Sequence, residues 1–185
     1  MVPEKNIIEG CIAGDRYMQK LLYQKFASKM LGICMRYCKS KDEAEDVLQD
    51  SFIKIFKNIT TFKEAGSFEG WIKRIVVNTA LNNYRSNFKR YFQTEIDEIH
   101  ETSQMQHIAN DSLSEKELLK MIKELPEGYR MVFNLYAIEG YTHKEIGEML
   151  EISENTSKSQ LSRARVYLQK KLTEYNHETI LHQSI

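Results

Sequence analysis

The residues best equipped for chemistry lie in the stretch YTHKEIGEMLEISENTSKSQLSRAR, Tyr141 to Arg165. Small hydroxyls and amides crowd its second half (Asn155, Thr156, Ser157, Ser159, Gln160, Ser162), with Lys158, Arg163 and Arg165 among them. Short polar groups near a helix N-terminus reach base edges in a DNA groove, and interspersed Lys and Arg grip phosphates. A second set runs from Trp71 to Arg90 and interleaves Trp71, Lys73, Arg74, Asn78, Asn82, Tyr84 and Arg85. Amides and Arg bind bases or backbone there, and Phe62, Phe68 and Trp71 offer rings on which unpaired bases stack. Lys63 precedes a glycine-containing loop suited to lining a base pocket. A third set, Asp46, Gln49, Asp50, Lys54 and Lys57, shares one helix face that suits a protein partner. Each set also fits a plainer reading: a helical hairpin with a solvated polar face, core positions for Trp71 and Phe68, and solvent over the third face.

Catalytic and metal chemistry find no support. The chain has no glycine-rich phosphate loop, no HExxH and no CxxC. Its five histidines are scattered, and His143 suits a polar surface position. Cys34 and Cys38 lie one helical turn apart, but no further Cys or His stands near to complete a tetrahedral set. Idle or buried thiols are expected for them and for Cys11. The expectation is no enzyme, no catalytic residue, no metal and no cofactor.

These residues are carried by helices. Lys, Glu, Leu, Ile and Met abound, and only Pro3 and Pro126 interrupt the 185-residue chain. Apolar spacing predicts one or two helices from Ile8 to Tyr37 and another with Ala44, Val47, Leu48, Phe52, Ile55, Phe56 and Ile59 inward. Acidic Asp42, Glu43 and Glu45 suit the start of the latter. A loop is predicted over 60–70, then a helix with Phe68, Ile72, Ile75, Val76, Thr79 and Asn83 on one side. Periodicity resumes at Leu113, Leu118, Ile122 and Leu125 and breaks at Pro126. A helix through Val132 to Tyr136 ends at Glu139-Gly140. Thr142 with Glu145 forms a capping-box pattern before a short helix, and Ser153 caps a last one through Leu161, Ala164, Leu168 and Leu172.

The fold class is therefore all-α: two small helical domains, the second containing a helix-turn-helix. The 26 basic and 26 acidic residues cancel, yet Ile96 to Glu115 holds five acids and no Lys or Arg. This polar stretch predicts an acidic flexible linker over 93–112 between domains at 1–92 and 113–185. The N-terminus has no basic start followed by an apolar run, and no stretch reaches the roughly 18 apolar residues of a membrane span. A cytoplasmic protein without membrane insertion is expected.

Together the segments resemble the extracytoplasmic-function group of the sigma-70 family. EAEDVLQDSFIKIFKNI (Glu43–Ile59) is similar to its polymerase-binding helix, and FEGWIKRIVVNTALNNYR (Phe68–Arg85) to its helix for the −10 promoter element. Glu124–Arg165 is similar to its −35-binding region. The resemblance implies a sigma factor that binds core RNA polymerase and promoter DNA and promotes opening, with an anti-sigma factor as a common partner. It implies polymerase contacts at Asp46, Gln49, Asp50 and Phe52, the last either touching polymerase or supporting the motif from the core. It implies −10 contacts at Phe62, Lys63, Phe68, Trp71, Arg74, Asn78 and Asn82. Thr156, Lys158, Ser159, Gln160, Ser162, Arg163 and Arg165 would face the −35 groove or its phosphates.

Four positions depart from the family pattern. Ser157 replaces an apolar residue, Gln160 a basic one, Gly147 an alanine, and Glu151 the turn glycine. Ser157 implies looser packing of the last helix. Two other readings remain, a dimeric helix-turn-helix regulator and a helical adaptor that does not touch DNA; the Glu43–Ile59 helix has a task only in a sigma factor.

Overall fold

The computed structural model describes residues 2–63, 65–91 and 114–183, all helices and connecting turns. The expected linker at 93–112 lies outside the described residues. The chain divides into two compact units, residues 1–93 and 94–185.

The first unit holds α1 (Glu4–Ile12), α2 (Arg16–Tyr37), α3 (Lys41–Asn58), a 3₁₀ turn at Ile59–Thr61 and α4 (Phe68–Tyr91). Helices α2, α3 and α4 pack on one another, and α1 packs on α2. Gly14, at φ +80°, lets the chain turn between α1 and α2. Asp15 then caps α2 by accepting from the Tyr17 and Met18 amides at 2.7 and 3.3 Å. Ser40 caps α3, accepting from the Glu43 amide at 3.1 Å. Glu43 is itself a tie-bar: its carboxylate accepts from the Lys39 amide at 2.8 Å and from the Asn83 amide group on α4 at 2.6 Å. Asn83 thus faces inward as predicted, but as a hydrogen-bond partner.

The core comprises Leu22, Phe26, Met30 and Ile33 of α2, Ala44, Val47, Leu48, Phe52 and Ile55 of α3, and Ile72 and Val76 of α4. Helix α4 buries more than the one predicted side: Val77, Ala80, Leu81 and Tyr84 are also inside. A helix packed against two neighbours needs two apolar stripes, which blurs its amphipathic pattern. Tyr84, read as part of a nucleic-acid face, is a core residue. The three cysteines are buried, and none forms a disulfide. Burial pushes the Cys34 thiol up to about 12, and burial with nearby Asp15 pushes Cys11 up to about 11. These two groups remain protonated thiols in the core.

The second unit holds α5 (Glu115–Lys123), α6 (Glu127–Phe133), a π turn at Asn134–Ile138, α7 (His143–Leu150) and α8 (Glu154–Gln183). Ser114 and Glu117 form a capping box on α5. Met121, Ile122 and Leu125 turn inward against Ala164 and Leu168 of α8. Leu118, predicted to face the core, lies exposed; Met121 takes the inward place one turn later. The Tyr175 hydroxyl donates to Glu117, and Lys171 pairs with Glu124 at 3.1 Å, binding α5 to the far part of α8. Hydrogen bonds from Ser114 and Tyr175 hold the Glu117 carboxyl down at about 2. Buried Arg130 donates to the Lys123 carbonyl at 3.0 Å, placing a cation at the C-terminal end of α5.

The helix-turn-helix is closed by local devices. Thr142 and Glu145 form the predicted capping box. At the turn, Glu151 adopts the left-handed conformation, φ 59° and ψ 39°. The Ile152 amide donates to the Gly147 carbonyl at 3.0 Å. Ser153 caps α8 by accepting from the Thr156 amide at 2.9 Å. A methyl group on Gly147 would stand 2.9 Å from the Ile152 carbonyl oxygen. The two departures are therefore linked: removing a side chain at 147 lets the turn lie close, while residue 151 bears the backbone cost.

Ser157 does not loosen α8. It is 0% exposed, and its hydroxyl lies 3.0 Å from His143 Nδ1. The His143 ring stacks on Tyr136 with centroids 4.5 Å apart, and Arg165 lies over the other ring of that pair, 5.9 Å from the Tyr136 centroid. This cluster joins the π turn, α7 and α8. Burial, then the charges of Lys158 and Arg165, hold the His143 pKa below its usual value, with Glu154 opposing.

Two outcomes are expected. Gly147→Ala destabilises the protein by about 1–3 kcal/mol through overpacking against backbone, whereas Glu151→Gly stabilises it by about 1 kcal/mol by relieving the left-handed position; urea unfolding measures both. Because the native His143 pKa is lowered, the unfolded state takes up the proton first as pH falls. Stability contributed here is complete above the unfolded pKa of about 6.5 and declines below it until the lower native pKa is passed. Melting temperatures from pH 8 to 5 should fall less steeply in His143→Gln, and an NMR titration should place His143 below about 6.5.

Candidate nucleic-acid interface

In the second unit the candidate residues sit on the first three turns of α8. Lys158, Ser159 and Ser162 are exposed, and Thr156, Gln160, Arg163 and Arg165 are half-buried. The periodicity that brings Ser157, Leu161, Ala164 and Leu168 inward turns the intervening polar residues outward. Several of these groups already have partners. Lys158 pairs with Glu154 one turn earlier at 2.6 Å. The Ser159 hydroxyl donates to the Thr156 carbonyl at 3.0 Å, and the Thr156 hydroxyl meets Ser153 at 2.8 Å. Arg165 covers Tyr136. The Gln160 amide lies against Gly128 of α6, so close that a methyl group there would meet its nitrogen at 3.2 Å. Gln160 is thus drawn toward the protein, against a glycine on α6 whose missing side chain gives it room.

In the first unit, Arg74, Asn78 and Asn82 recur at four-residue spacing on the exposed side of α4, with half-buried Trp71 one turn earlier. Arg85 donates to the Asn82 side-chain amide oxygen, so the row extends by a residue that the sequence pattern included but the family resemblance did not. Ser67, also missed, starts α4 by accepting from the Gly70 amide at 3.1 Å; an S-x-x pattern before the helix was the available signal. Phe62, Phe68 and Trp71 form one aromatic cluster, with centroids 5.0 Å apart for Phe62–Phe68, 5.8 Å for Phe62–Trp71 and 5.6 Å for the stacked Phe68–Trp71 pair. Phe68 also meets Phe26 of α2 and is only 3% exposed. It cannot offer a face to a base; it supports the half-buried Phe62 and Trp71, which can. Lys63 stands exposed beside them.

On α3, Asp46, Gln49 and Asp50 are exposed on one face, as the pattern predicts. Phe52 is 3% exposed and packs on Tyr23 and Phe56, centroids 4.6 and 6.0 Å away. Of its two readings the structure selects core support. Next to this face a groove of about 250 Å³ runs between α2 and α3, lined by Tyr23, Ala27, Leu31, Glu45 and Gln49. Among the described residues no group of three or more His, Cys, Asp or Glu is placed to hold a metal ion. No helix among them is long and apolar enough to cross a membrane.

Comparison with known proteins places this geometry. The family model for sigma-70 region 2 matches residues 22–90, spanning α2 to α4, and that for sigma-70 region 4 matches residues 115–168, spanning α5 to the first half of α8. The ECF RNA polymerase sigma-E factor of Haemophilus influenzae is 27% identical over 180 residues, covering 91% of this chain and 95% of that protein. The RNA polymerase sigma-H factor of Pseudomonas aeruginosa is 28% identical over 180 residues, covering 91% and 93%. Among solved structures, the sigma factor RpoE of Bartonella quintana, in complex with the anti-sigma factor NepR, has the same fold with a TM-score of 0.51 at 20% identity, over 83% of this chain and 96% of that one. Two sigma-70 regions in the family's order, each folded around its own core, and relatives matching nearly end to end lead to one statement: the chain belongs to the extracytoplasmic-function group of the sigma-70 family.

Proposed function

We propose that this sigma factor docks on core RNA polymerase through α3, holds the opened −10 strand along α4 and reads the −35 element with α8. The observation that carries the reading is the face of α4. Exposed Arg74, Asn78 and Asn82 lie in one row with half-buried Trp71, beside the Phe62–Phe68 rings and within the same unit as the acidic face of α3. A ring edge, a cation and two amides in line suit a single strand: the rings stack on a base, Arg74 meets phosphate and the amides hydrogen-bond bases or sugars. Lys63 extends the row's charge at the loop. Capturing a base displaced from its stack favours strand separation without covalent chemistry, so the protein works as a non-enzymatic, cofactor-free initiation factor.

The acidic Asp46 and Asp50 with Gln49 suit a basic, helical partner surface, and Phe52 holds their helix in place from beneath. On α8, Thr156, Lys158, Ser159, Ser162 and Arg163 form the groove-facing set; Gln160 contributes at its edge, and Arg165, held on Tyr136, is a phosphate contact at most. The domains take these tasks as residues 1–92 and 113–185, joined by the acidic linker 93–112. The partners are core polymerase, promoter DNA and an anti-sigma factor, and the working place is the cytoplasm.

Two tests follow. Immobilised core polymerase should retain the protein and retain Asp50→Arg at least tenfold less; failure of the unmutated protein to bind core would overturn the proposal. Reconstituted holoenzyme should start transcripts at a defined promoter, with Lys158→Glu lowering initiation about tenfold. The isolated protein, whose net charge is zero, should bind the same duplex only weakly, because two small surfaces gain effective concentration when polymerase holds both. Fluorescence anisotropy showing tight, specific duplex binding without core would contradict this.

A further inference from the structure

The pairing of Lys158 with Glu154 has a consequence for which base α8 reads. Glu154 is the first residue of α8, and its carboxylate and the Lys158 ammonium lie 2.6 Å apart with side chains 49% and 53% exposed. Lys158 holds the Glu154 carboxyl below its usual range, so it is an anion at neutral pH. Resting on the reading of α8 as the −35 helix, both groups stand on the turns that enter a major groove. A carboxylate there is repelled by phosphates. It is tolerated where a base edge offers it a donor, and the cytosine amino group is the base-edge donor that acidic side chains accept from. Lys158 cannot leave for a phosphate without exposing that carboxylate to the polyanion.

We propose that Glu154 is a specificity-determining residue of this sigma factor, selecting a base pair that presents a cytosine amino group, with Lys158 as the buttress that holds its carboxylate in place. The pair confers selectivity by subtraction as well as by contact: at any other base pair the carboxylate loses water in the groove without gaining a base-edge donor, and the Lys158 ion pair alone must satisfy it. Lys158 then contributes less to phosphate binding than its charge suggests, because that charge is already matched.

Holoenzyme reconstituted with core polymerase and a promoter library randomised across the −35 element tests this by transcript sequencing. The unmutated protein should prefer cytosine at one position by about 5- to 150-fold. Glu154→Gln should move the preference at that position alone from cytosine toward adenine, whose edge a Gln amide matches. Glu154→Ala should flatten it, and should steepen the salt dependence of nonspecific DNA binding by about one counterion as Lys158 is released. A pair that merely steadies the first turn of α8 would leave base preference unmoved, so identical preferences in Glu154→Gln and the unmutated protein would overturn the proposal. Flat preference across the whole element in the unmutated holoenzyme would instead overturn the reading of α8 on which it rests. Equal melting temperatures for both variants establish that the fold is intact.

Discussion

The second unit of this protein depends on how closely the turn after α7 lies against Gly147. The Ile152 amide reaches the Gly147 carbonyl, and the Ile152 carbonyl stands where a side chain on 147 would be. That close approach sets where Ser153 caps α8 and hence which residues of α8 turn inward. Glu151 is held in a left-handed conformation to make it possible. A residue other than glycine in that region costs about 1–2 kcal/mol, and the surrounding caps and core offset it. The direction of α8 is thus set by a backbone contact rather than by the polar residues it displays.

The same unit replaces apolar packing with a polar pin. Ser157 would leave a gap if it stood alone in the core; the His143 ring fills the place above it and shares a hydrogen bond with its hydroxyl. A hydrogen-bonded pair of this kind, one partner buried and the other half-buried, fixes relative position more narrowly than two apolar side chains do, because distance and angle both matter. Tyr136 stacked on His143, with Arg165 on Tyr136, continues the arrangement to the surface.

Several of the candidate groups already have partners before any ligand arrives. Lys158 is with Glu154, Asn82 with Arg85, and Arg165 with an aromatic face. A surface so matched gains little from nonspecific attraction to a polyanion, in keeping with the equal numbers of acids and bases in the chain. Recognition as proposed would then rest on geometry: rows at helical spacing on rigid elements, supported by buried rings such as Phe68.

Much of this was legible in the order of residues. Helix positions, the Thr142–Glu145 capping box, the inward stripe of α3 and the exposed row Asp46, Gln49 and Asp50 all follow from periodicities that depend only on local backbone geometry. So do the outward Lys158, Ser159 and Ser162. What local spacing could not decide was which apolar stripe wins when a helix has two. Tyr84 went inside because α4 packs against both α2 and α3, and Leu118 stays exposed while Met121 packs against α8. Nor could spacing reveal pairs distant in the chain: Glu43 with Asn83, His143 with Ser157, Gln160 against Gly128. By itself the sequence determined the helices, their order and the polar faces that mark the family. The tertiary structure decided which of those polar and aromatic groups are free to act, because availability depends on neighbours that only packing brings together.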